Sequence, residues 1–116
     1  MNPRQVRDAL RRGELTAVDP RMYKSKPPEP PGNWAEWRRE RMRVAVRAAI
    51  MFLQGKGWKE ISQALESAGM LVADRVQRKG SVITKARVQQ YIKKGVDFLI
   101  SRGCFREVRE KQLRPF

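Results

Sequence analysis

Apolar residues recur every three or four positions from about residue 84 onward. At ~100° per residue, Val88, Tyr91, Ile92, Gly95 and Leu99 fall on one stripe of a helix. Ala86, Gln89, Gln90, Lys93 and Lys94 fall on the other side. Thr84 stands where an N-cap hydroxyl would accept from backbone N–H groups that lack an intrahelical partner. The pattern predicts an amphipathic helix with an apolar seam and a cationic, amide-rich outer face.

Earlier in the chain the same reasoning predicts three more helices. Asn2-Pro3 is a helix start, a capping side chain followed by proline at the first helical position. Val6, Ala9 and Leu10 then give a short apolar edge up to Gly13. A helix of about ten residues is marginal alone in water, so this one must dock or fray. Asn33-Trp34-Ala35-Glu36 has the spacing of a capping box and opens a long helix over 34–53, closed by Gly55 and Gly57. Its second half, from Ala45 to Leu53, is apolar on nearly every side and belongs in the core. A further helix over 58–68 carries Trp58, Ile61, Ala64, Leu65 and Ala68 on one face and stops at Gly69.

Two stretches interrupt this regularity. Residues 17–32 hold four prolines between Pro27 and Pro31, which favour an extended arm. The arm is either a solvated spacer or a contact segment using Arg21, Tyr23, Lys24 and Lys26. Residues 70–83 are too long for a tight turn. Leu71-Val72 and Val82-Ile83 are β-prone, with Arg78-Lys79-Gly80 at a turn between them. A short β-ribbon with a basic tip and an irregular core-covering loop both fit. Phe105, Val108 and Leu113 are expected to pack inward from a short terminal element. The reading is therefore mainly α: an N-terminal helix and Pro-rich arm over 1–32, then a helical domain over 33–116.

Charge gives this outline a direction. The chain of 116 residues has 26 Lys and Arg against 12 Asp and Glu, a net charge of +14. So basic a surface repels itself and calls for an anionic partner, with nucleic acid the leading class and an acidic protein or membrane surface behind it. The excess is uneven. Residues 84–102 hold five bases and one acid, whereas 58–83 hold four and three. One near-neutral helix bracing one strongly basic helix is the asymmetry of a helix-turn-helix unit. Trp34 and Trp37 can pack, stack on bases or bind a partner, and the arginines Arg38, Arg39, Arg41, Arg43 and Arg47 suit phosphate contact or a solvated face.

Enzyme chemistry is poorly provided for. The sequence has no histidine, so the commonest general base and the usual zinc spacings are missing. Cys104 is the single cysteine, which rules out an intrachain disulfide, and no activating base accompanies it. No phosphate-cradling glycine loop or serine elbow occurs. The expectation is no enzyme activity, no cofactor and no metal. Lacking a bilayer-length apolar run or an apolar signal region, the chain is expected in the cytoplasm, of a host cell if phage-encoded.

Taken together, Ile61-x3-Leu65-x3-Gly69, Arg78-x-Gly80 and Thr84-x3-Val88-x3-Ile92 form a pattern that resembles the helix-turn-helix DNA-binding segments of phage and bacterial regulators. A similar spacing accompanies large serine recombinases. The run from Ile83 to Ile92, with Leu99 downstream, also resembles the promoter-reading helix of sigma-factor region 4. The likeness spans about 57–103 and departs from the usual unit in the insertion at 70–83.

It implies a double-stranded DNA-binding transcription regulator reading the major groove. Lys85, Ala86, Gln89, Gln90 and Lys93 would then approach base edges. Thr84, Arg87, Lys94, Arg78, Lys79, Arg38 and Arg39 would meet phosphates. Two alternatives stand beside it: a factor that docks on RNA polymerase through Tyr23, Trp34 and Trp37, and a DNA-packaging or recombination accessory protein. A homodimer is compatible with any of them.

Overall fold

The computed structural model describes residues 1–69 and 85–108. Over these the chain is a small, mainly α domain of four helices with a two-stranded antiparallel ribbon. In chain order the elements are α1 (Pro3–Arg11), β1 (Leu15–Ala17), a 3-10 turn (Pro20–Tyr23), α2 (Glu36–Leu53), α3 (Trp58–Ser67), α4 (Lys85–Ser101) and β2 (Phe105–Glu107).

Helices α2 and α4 form the centre. The apolar second half of α2 buries Val44, Ala45, Val46, Ala48, Ala49 and Ile50, while α4 buries Val88, Ile92, Gly95, Val96, Phe98 and Leu99. The two come closest at Gly95. A Cβ built there would run into the Ala45 carbonyl and sit 2.7 Å from the Ala49 Cβ. Only glycine lets the backbones approach this far. Helix α3 closes one side of the pair with Ile61 and Leu65, both fully buried.

The N-terminal segment packs into this same core. Asn2 and Gln5 form a reciprocal capping box, each side chain accepting from the other's backbone N–H at 2.8 Å. The helix so started buries Val6 and Ala9. Burying a valine side chain contributes ~1.5–3 kcal/mol, enough to hold a helix too short to persist by itself. The Arg7 guanidinium lies 4.7 Å from the Phe52 ring of α2.

Past α1, strand β1 pairs with β2 in the register Leu15–Glu107, Thr16–Arg106 and Ala17–Phe105. The bonds Val18 N–H to Cys104 O and Val108 N–H to Glu14 O, both 2.9 Å, extend it at each end. Three residues of half-buried strand leave no alternation to read in a sequence. The ribbon depends on Gly103, whose φ of 68° lets α4 end in a Schellman turn. Gly103 N–H bonds to Ile100 O and Cys104 N–H to Leu99 O, at 3.0 Å each, which turns the chain back toward β1.

Three details differ from the sequence reading. Helix α2 starts at Glu36 with Ala35 as its N-cap and no side-chain cap, so Asn33 and Glu36 form no capping box. Here Pro30 is buried and Trp34 N–H bonds to Pro31 O at 3.2 Å, which places Asn33 in a turn ahead of the helix. The Pro-rich stretch also lies on the domain, with Glu29 paired to Arg43 of α2 at 2.9 Å. Val108, expected inward, is exposed: its backbone is held by Glu14 at the end of the ribbon, while its side chain is left at the surface. The ribbon or loop expected at 70–83, and Leu113, fall outside the described residues.

Candidate nucleic-acid interface

The outer side of α4 follows from its inner side. Because Val88, Ile92, Gly95, Val96 and Leu99 are drawn into the core, the residues half a turn away face solvent. Lys85, Ala86, Gln89, Gln90, Lys93 and Lys94 are all exposed. Among the described residues none of these side chains makes a hydrogen bond or ion pair. Asp97 is the one acid on this helix. Arg87 is half-buried, its guanidinium 5.9 Å from the Tyr91 ring. Thr84, Arg78 and Lys79 fall outside the described residues.

At one edge the basic face of α4 continues into a groove shared with the first half of α2. The groove has a volume of about 570 Å³, and its wall includes Trp37, Arg38 and Arg41 from α2 and Lys94 and Asp97 from α4. Arg41 and Lys94 also border a smaller depression of about 110 Å³ with Gln90 and Tyr91. Three cations against one carboxylate give the groove a positive field, focused by the low-dielectric core beneath it. Arg39, one residue and 100° further round α2, is half-buried and does not line the groove.

Aromatic residues divide into packed and open ones. Trp34 meets Phe98 edge-on, ring centroids 6.1 Å apart, and carries the Arg38 guanidinium 3.9 Å from its ring. Tyr23 is half-buried against the core, and the loss of solvent around its hydroxyl raises its pKa above the usual 10.0. Burial likewise raises the pKa of the neighbouring Cys104 thiol. Trp37 is different. It is 62% exposed, with the Arg41 guanidinium 5.4 Å from its ring.

Sequence reasoning passed over Arg41 as one of a run of arginines. Only the pairing of α2 with α4 singles it out, by bringing it beside Lys94 across the groove. Among the described residues no group of three or more potential metal ligands comes together, and no helix is long and apolar enough to cross a membrane. No protein-family model, curated protein or solved structure matches the chain.

Proposed function

We propose that this chain is a double-stranded DNA-binding transcription regulator, of the kind found in phages and bacteria, that reads the major groove with α4. One observation carries the reading. The fold uses one side of α4 and leaves the other, bearing three lysines and two glutamines, exposed and without partners in the described residues. In that arrangement Gln89 and Gln90 address base edges, Ala86 offers a methyl to thymine, and Lys85 and Lys93 reach guanine or phosphate. Lys94 at the edge of α4, with Arg38 and Arg41 of α2 next to it, supplies backbone contacts. Helix α3, with one base and two acids, serves as the bracing helix of a helix-turn-helix pair.

The polymerase-docking alternative draws on Tyr23, Trp34 and Trp37. Two of these are packed against the chain itself, which weakens it relative to the DNA reading.

Selection of binding sites from random duplex DNA at ~150 mM salt tests the proposal, because sequence-independent binding is strongly weakened there. An enriched motif supports it, and a two-fold symmetric motif adds a dimer. On that motif Gln90→Ala should cost ~1–3 kcal/mol at one base pair only. Lys94→Ala should weaken every sequence alike and lower the salt slope by about one. No enrichment, or a Gln90→Ala loss spread equally over all sequences, rejects base reading.

A further inference from the structure

Duplex reading by α4 leaves Trp37 without a task. A tryptophan that packs into its own chain contributes more to stability than one in water, and Trp34, three residues earlier and ahead of the helix, does pack. Trp37 instead stands at the rim of the α2/α4 groove with most of its surface open. Arg41 takes one face of its ring, 5.4 Å from the centroid, by a cation–π contact. The opposite face has no aromatic partner among the described residues. Beside it lie Arg41, Arg38 and Lys94, opposed within the groove by Asp97 alone. Glu36 and Glu40, the acids of α2, do not line the groove.

We propose that this groove is a second nucleic-acid site, which holds one unpaired nucleotide of single-stranded DNA. Its base stacks on the open face of Trp37, and its phosphate lies between Arg41 and Lys94. Three features select this ligand. The volume of about 570 Å³ falls in the ~300–1,000 Å³ range of small-ligand sites. The charge of the walls matches a phosphodiester. A flat indole face matches an unpaired base, because base faces within a duplex are already covered by their neighbours. An acidic peptide would satisfy the charge and leave the ring unused.

The site lies beside the base-reading face and shares Arg38, Arg41 and Lys94 with it, so Trp37 is the residue that separates the two activities. The test uses the full chain with two probes, a labelled short oligothymidylate and a blunt hairpin duplex, read by anisotropy and tryptophan fluorescence. Wild type should bind the oligothymidylate with quenching of tryptophan emission. Trp37→Ala should weaken that binding by about 5- to 150-fold, the loss of one stacked base, while Trp37→Phe retains most of it. Duplex affinity of Trp37→Ala should stay within about threefold of wild type, a change below one kcal/mol. Circular dichroism checks that each variant folds, as expected for an exposed position.

Absence of oligothymidylate binding, or an unchanged affinity in Trp37→Ala, overturns the proposal. Equal losses on both probes also overturn it, because Trp37 would then belong to the duplex interface. So does loss of a protein partner in Trp37→Ala with oligothymidylate binding intact. If the duplex fails to bind while the oligothymidylate does, this site stands and the duplex-reading proposal falls.

Discussion

Gly95→Ala sets two effects of opposite sign against each other at the α2/α4 crossing. In a solvated helix the change would stabilise by about 0.8–1.0 kcal/mol, since alanine loses less backbone freedom. At this position the new methyl meets the Ala45 backbone carbonyl and the Ala49 Cβ, the latter at 2.7 Å. Normal carbon–carbon contact is ~3.5–4.0 Å, so the helices must part. A carbonyl within a helix cannot rotate aside as a side chain would. Opening the seam then loosens the contacts of Ala45 and Ala49 with α4 together, and a gap of 0.5–1 Å forfeits about a quarter to a half of each contact's attraction. Overpacking of this kind costs ~1–3 kcal/mol or more, and backbone contact puts Gly95 at the upper end. The expected net result is a loss of about 2 kcal/mol.

Urea denaturation reads this directly. With a slope of ~1–3 kcal/mol per molar, the midpoint should fall by about 1 M. Ala49→Gly should rescue Gly95→Ala only in part, because it removes the Cβ contact and leaves the carbonyl one. The same widening should weaken nucleic-acid binding by displacing Lys94 from Arg41. A Gly95→Ala protein as stable as wild type, or more stable, would refute the close crossing and the groove geometry built on it.

Two further outcomes follow from the N-terminal half. Asn2→Ala removes an N-cap and one half of a capping box, and should cost ~1 kcal/mol in thermal or urea unfolding, with α1 amides exchanging faster. Tyr23 is raised above 10.0 chiefly by burial, with the nearby Cys104 adding to the shift. Its neutral form is thus favoured by folding, and that contribution is complete below pH 10 and lost as pH rises through the folded value. Ultraviolet titration should show a phenol ionising later in the folded chain than in urea. Tyr23→Phe should abolish that phase, and an unshifted titration contradicts the packing.

Much of the scaffold was legible because each helix carries its signal locally. The apolar stripe of α4, the apolar second half of α2, the asparagine–proline start of α1 and the glycine stops are all written within single elements. The failures arose where contacts outside the element decided the outcome. Asn33 and Glu36 have the right spacing for a capping box, yet the buried Pro30 and the turn that follows place Asn33 outside the helix. Strand β1 has only three residues, and its pairing with β2 joins residues some ninety positions apart. No window on the sequence contains that contact.

The sequence alone determined which side of α4 is basic, because helical periodicity fixes the relative directions of side chains whatever surrounds them. It also determined that the surface carries excess positive charge. Which of Trp34 and Trp37 packs against α4, which arginine faces α4, and where the groove lies were decided by the crossing of α2 and α4 at Gly95. Those relations depend on the distance and rotation between two helices, and both are set by packing that neither helix encodes by itself.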